Sequence, residues 1–126
     1  MSKFKRVMLI DDSEIDNLVN KHILSRSEIA QEIIVYSLAQ DALLFFESKD
    51  ITEYPDLILL DINMPIMNGF GFLEEFKKII DGKSLNIKIY MLSSSVDPND
   101  IRKSEEYEYV KGFISKPLSQ EHLNNF

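Results

Sequence analysis

Four short apolar runs in this chain each stop at a residue able to bind a cation or a phosphate. Val7-Met8-Leu9-Ile10 ends at Asp11-Asp12, and Leu57-Ile58-Leu59-Leu60 ends at Asp61. Ile87-Lys88-Ile89-Tyr90-Met91-Leu92 ends at Ser93, and Gly112-Phe113-Ile114-Ser115 ends at Lys116-Pro117. Short continuous runs of this kind are strands covered on both faces, as in a parallel sheet. In open α/β sheets ligands sit in the crevice outside the carboxyl ends of the strands. Residues far apart in sequence could therefore converge on one site.

Segments of helical period separate the runs, and the alternation predicts a single (βα)5 unit. Ile15, Leu18, Val19 and Ile23 give the first helix an apolar stripe, with Ser13 available as its cap. A second strand is expected at Glu32-Ile33-Ile34-Val35-Tyr36, followed by a helix that buries Ala39, Ala42, Leu43 and Phe46. The third helix starts near Phe70, buries Phe72, Leu73, Phe76, Ile79 and Ile80, and closes at Asp81-Gly82. Asp97-Pro98 reads as an N-cap with proline in the first turn. Between Asp100 and Glu106 only Ile101 is apolar, so the fourth helix should lie mostly exposed. A last helix begins at the cap Ser119, with Leu118 and Leu123 as a hydrophobic staple.

Composition removes several function classes. The 126 residues suffice for one domain with its own core. No cysteine is present, which excludes a disulfide framework, a thiolate metal site and a thiol nucleophile. A net charge of -7 argues against direct nucleic-acid binding, which draws on clustered Lys and Arg. The basic start at Lys3-Phe4-Lys5-Arg6 precedes an apolar run too short for a signal peptide, and no stretch is long enough to span a membrane. A cytoplasmic protein without a membrane partner is expected.

Each strand-end residue has an ordinary structural explanation beside a chemical one. Asp11 and Asp12 together can hold a hard cation such as Mg²⁺, or either can cap the following helix. Asp61 is not followed at once by a helix, which weakens the capping account, and a carboxylate there can act as a nucleophile. Lys116 is either a solvated strand exit or a fixed ammonium that neutralises transferred phosphate. The Ser93 hydroxyl can donate to a phosphoryl oxygen, yet Ser93-Ser94-Ser95 also reads as a polar loop. His22 and His122 lack ligand spacing and fit helix-surface or packing roles. No Gly-rich nucleotide loop follows any strand.

Taken together, the acidic pair, the segment Asp61-Ile62-Asn63-Met64-Pro65-Ile66-Met67-Asn68-Gly69, the hydroxyl and Lys116-Pro117 occur in an order that resembles the receiver domain of bacterial two-component response regulators. The likeness covers essentially the whole chain and is closest to the single-domain type found in chemotaxis. It implies a flavodoxin-like sheet of order 2-1-3-4-5 over residues 1–126, without an output domain in this chain. By this resemblance Asp61 is the phosphoacceptor. It would be served by a sensor histidine kinase or a histidine phosphotransfer protein. Asp12, Asp61 and the main-chain oxygen of Asn63 correspond to ligands of Mg²⁺ (or Mn²⁺), Asp11 to a contact through metal-bound water, and Lys116 to the partner of the phosphoryl oxygen.

Ser93 and Phe113 match the switch pair of the family, with serine in place of the more frequent threonine and phenylalanine in place of tyrosine. Asn63 and Ser95 correspond to positions that modulate loss of the phosphoryl group. The fourth helix, fifth strand and last helix would carry the signal to a downstream protein through Arg102, Lys103, Glu105, Glu106, Tyr109 and Lys111. A monomer or a weak phosphorylation-dependent dimer is implied. A signalling domain is thus expected rather than an enzyme. A Mg²⁺-dependent phosphatase with an aspartyl nucleophile wants Asp-x-Asp after the first strand, and Asp11-Asp12-Ser13 does not supply it. A receiver-like module that works without phosphorylation would not need the intact acidic set.

Overall fold

The computed structural model describes residues 2–126. Five parallel strands, β1 (Phe4–Ile10), β2 (Ala30–Tyr36), β3 (Leu57–Asp61), β4 (Lys88–Ser93) and β5 (Val110–Ser115), form one sheet in the order β2-β1-β3-β4-β5. The helices are α1 (Glu14–Ser27), α2 (Ala39–Ser48), α3 (Gly69–Ile79), α4 (Pro98–Ser104) and α5 (Gln120–Asn124). The expected flavodoxin-like (βα)5 architecture and strand order are therefore present. Strand order reverses between β1 and β3, and a crevice opens at such a switch point.

Alternation along the central strands builds two cores. Met8, Ile10, Ile58 and Leu60 face one side and pack with Phe46 of α2 and Phe72 and Phe76 of α3. Val7, Leu9, Leu57 and Leu59 face the other and pack with Leu24 of α1 and Leu123 of α5. Side chains that alternate across a strand explain why every residue of β3 is buried and apolar until Asp61. On the first side, Phe46 meets Phe76 edge to face with ring centroids 4.9 Å apart.

The first helix buries only the end of the face expected of it, where Ile23 packs against the second core. Ile15 and Leu18 are 74% and 72% exposed and Val19 48%, whereas Asn17, Asn20 and Leu24 face inward. The reason is local: the Asn17 side-chain amide donates to the Asp11 carbonyl at 2.7 Å, which anchors the first turns of α1 by hydrogen bonding, while Leu24 and Ile23 provide the apolar contact further along. The other helices follow the sequence. Ala39, Ala42, Leu43 and Phe46 are buried on α2, as are Phe72, Leu73 and Phe76 on α3. A 3₁₀ turn at Ile51–Glu53 was not signalled by the periodicity.

α4 is mostly exposed, as its sequence implies. The Asp97 side chain caps it by accepting from the Asn99 amide at 2.9 Å. Two contacts tie its end to α3: the Lys103 ammonium lies 4.6 Å from the Phe70 ring centroid, and the Tyr107 hydroxyl donates to Glu74. Between α4 and β5 a cavity of about 380 Å³ is lined by Ile101, Ser104, Val110 and Phe113. Ser119 caps α5 through a capping box with His122, over a buried Leu118 and Leu123. His122 thus serves helix geometry.

Candidate phosphoryl and metal site

The carboxyl ends of β1 and β3 bring Asp11, Asp12 and Asp61 together, with one carboxylate oxygen from each lying within 4.8 Å of the others. Asp11 and Asp61 are buried, and Asp12 is exposed. Ser13, not an aspartate, caps α1, since its hydroxyl accepts from the Asp16 amide at 3.2 Å. Asp11 accepts the Ser13 amide through Oδ1 at 2.9 Å, which fixes the turn out of β1. Capping therefore leaves the Asp12 carboxylate without a structural task.

Lys116 closes the group from β5. Its amide donates to the Ser93 carbonyl at 2.8 Å, which prolongs the ladder between β4 and β5 beyond Ser115. Its ammonium donates to Asp11 Oδ2 at 2.7 Å and to Asp16 Oδ2 at 2.9 Å, and lies 3.2 Å from Asp61 Oδ1. Burial pushes the Asp61 pKa up, the charge of Asp11 adds to the effect, and Lys116 opposes it; the result is about 6. Burial alone would lower the Lys116 pKa, but its bonds to Asp11 and Asp16 outweigh this and hold it above the ordinary lysine value. The donor set fits a hard divalent cation. It consists of oxygen ligands only, with more negative charge than one ammonium neutralises.

The segment after Asp61 is held close to it. The Gly69 amide donates to the Ile62 carbonyl at 2.8 Å, and Asn68 caps α3 by accepting from the Gly71 amide at 2.9 Å. A Cβ at Gly69 would come 2.7 Å from the Asp61 carbonyl oxygen, so glycine is required there by space. Gly69→Ala should cost about 2 kcal/mol or more through displacement of that backbone. Urea unfolding checks this, and a loss too small to measure would show that the loop yields freely. Ile66 in the same segment has φ 70° and is 89% exposed, a strained conformation for a β-branched residue. Asn63 is exposed at the start of this loop.

Among the described residues, neither of the other expected site residues, Ser93 and Phe113, has its side chain bonded to this group. Ser93 is buried, but its hydroxyl donates to the Ser95 carbonyl at 2.6 Å and so is turned into its own loop. Phe113 is half-buried on β5, in register with Met91. Asp16 escaped the sequence reading altogether. An acid in the first turn of a helix is explained by the macrodipole, and nothing local points to a lysine 100 residues away. A larger cleft of about 720 Å³, lined by Ile80, Lys83, Leu85 and Tyr107 among others, lies at the amino ends of β4 and β5, away from this chemistry.

Comparison with known proteins agrees with the geometry. The family described as "Response regulator receiver domain" matches residues 7–126. The response regulator Rcp1 of Synechocystis is 30% identical, over 94% of this chain and 81% of its own length. The transcriptional regulatory protein LnrK of Bacillus subtilis is 28% identical, and only half of it is spanned. Among solved structures, a two-component response regulator from Cytophaga hutchinsonii aligns with TM-score 0.87 and 33% identity, covering 97% of this chain and 92% of that one. The receiver domain of the histidine kinase CKI1 from Arabidopsis thaliana, solved with Mg²⁺ and BeF₃⁻, shares the fold at TM-score 0.80 and 23% identity, covering 94% and 85%. Among the described residues no helix is long and apolar enough to cross a membrane. The chain belongs to the response regulator receiver domain family of two-component systems.

Proposed function

We propose that this chain is a phosphoacceptor module in which Asp61 takes a phosphoryl group from a sensor histidine kinase or a histidine phosphotransfer protein, with Mg²⁺ (or Mn²⁺) required. The observation that carries the reading is Asp61 itself, a buried carboxylate at the sheet switch point, set between Lys116 and the Asp11-Asp12 pair. An Asp61 oxygen attacks phosphorus, and the P–N bond of phosphohistidine breaks. The imidazole nitrogen keeps the electron pair. Lys116 meets the charge on the phosphoryl oxygens.

Asp12 and Asp61 would hold the metal directly, with the Asn63 main-chain oxygen and, through water, Asp11. The hydrogen bonds on both Asp11 oxygens favour this division. When bound, the metal supplies charge neutralisation for the transferred group.

The outward Ile15, Leu18 and Val19 of α1 suit the docking of a histidine-bearing partner. Leu38, Ile66 and Val96 are likewise exposed apolar residues on loops that leave the carboxyl ends of strands. Ser93 and Phe113 would act as the switch, the hydroxyl leaving Ser95 for the phosphoryl group and the ring turning towards the cavity beneath α4. The α4-β5-α5 surface would then meet a downstream protein in the cytoplasm. Incubation with acetyl phosphate and Mg²⁺ should add one phosphoryl group by intact-mass measurement, and chelation of the metal should prevent it. A folded protein that takes up none would sink the reading.

A further inference from the structure

Lys116 has more carboxylates around it than phosphoryl chemistry requires. Its hydrogen bonds go to Asp11 and Asp16, whereas Asp61 is reached only as a longer ionic contact at 3.2 Å. Asp11 is buried within the acidic group, so a cation there would share it. Asp16 differs, because it sits on the first turn of α1, outside the acidic group, with its side chain 41% exposed. Its only polar side-chain partner among the described contacts is the ammonium. It therefore holds Lys116 from the solvent side, on the flank of α1.

We infer that Asp16 is a positioning residue that competes with the phosphoryl group for the Lys116 ammonium and so restrains occupancy of Asp61. The inference rests on the phosphoacceptor reading of Asp61 and adds a regulator to it. An ammonium carries three donors. With two of them engaged by Asp11 and Asp16, only one is left to face Asp61, so a closer or second contact with a phosphoryl oxygen there requires the ammonium to shift, and the partly exposed pair with Asp16 is the easier one to give up. A half-exposed pair of this kind is weak, so the restraint is modest and adjustable. Anything that neutralises or covers Asp16, including a cationic group of a partner seated on α1, would release Lys116 towards Asp61. Asp16 thus gives the first turn of α1 a direct electrostatic line to the site.

The test compares beryllofluoride affinity in saturating Mg²⁺, and the initial rate of phosphorylation by acetyl phosphate, for the wild type, Asp16→Asn and Asp16→Glu. Asp16→Asn should bind beryllofluoride about two- to fivefold more tightly and react correspondingly faster. Asp16→Glu, which keeps the charge, should show no such gain. In the Lys116→Met background Asp16→Asn should bring no gain, whether that background retains weak binding or none. An unchanged or weakened Asp16→Asn overturns the inference. So does a gain that persists without Lys116, since Asp16 would then act by repelling the anion itself. A wild type that takes up neither probe removes the phosphoacceptor reading and this inference together, whereas wild-type uptake with an indifferent Asp16→Asn removes the inference alone.

Discussion

Asp61→Asn should abolish phosphoryl uptake and, in the same molecule, raise the stability of the metal-free protein at neutral pH. The amide has no nucleophilic carboxylate oxygen, so acetyl phosphate with Mg²⁺ should leave its mass unchanged. The gain in stability follows from linkage. The folded Asp61 pKa is raised to about 6 by burial and by the Asp11 charge, against about 3.9 in an unfolded chain. The folded state therefore holds the proton more tightly, and stability falls as pH rises through the window between these values. Above it the full penalty of a buried charge is present, and below it the penalty is absent. Replacement by asparagine removes a cost on the order of 1–3 kcal/mol at neutral pH, and the advantage should disappear near pH 4 or below. Urea unfolding of both proteins across this range measures it, and an advantage that does not shrink on acidification would show that Asp61 is not the group responsible.

Lys116→Met should have the opposite sign and a comparable size. The methionine preserves much of the aliphatic stem, but the ammonium that serves Asp11, Asp16 and Asp61 is gone. Asp11 and Asp61 then stand buried beside each other without a counter-charge, a situation that costs about 3 kcal/mol when one partner of a buried pair is removed. The counter-charge that lowers the Asp61 pKa is lost, so its carboxyl should titrate above its wild-type value. Saturating Mg²⁺ should recover part of the stability, because a cation among the three carboxylates replaces the missing charge. Thermal unfolding with and without Mg²⁺ decides the matter. A loss that Mg²⁺ leaves untouched would place the damage in packing, not in charge.

The sheet was legible because its strands are buried on both faces, and nothing but a continuous apolar run such as Leu57 to Leu60 can satisfy that. The convergence of Asp11, Asp12, Asp61 and Lys116 was legible for a related reason. A carboxylate at the end of such a run, as at Asp61, has no role in the core that precedes it. α1 was misread because periodicity reports an apolar stripe without saying what covers it. Ile15, Leu18 and Val19 form a regular stripe, yet the inward face is made by Asn17, bonded to the Asp11 carbonyl, together with Asn20 and Leu24. Asp16 was missed because its partner arrives from the other end of the chain. The hydroxyl direction of Ser93 was likewise beyond reach, since it depends on how the loop to Ser95 folds back.

The polarity of α1 bears on how the molecule assembles. A helix that turns Asn17 and Asn20 inward, with Leu24 its one fully buried apolar side chain, gains less from hydrophobic collapse than α2 or α3, and its polar anchor needs β1 and the Asp11 carbonyl in place. The expected result is that α1 settles late, on a sheet formed with α2 and α3, so that φ-values along it lie near zero; values near one would place it in the folding nucleus. Mutations along α1 would then change the lifetime of the native protein more than the speed with which it is reached.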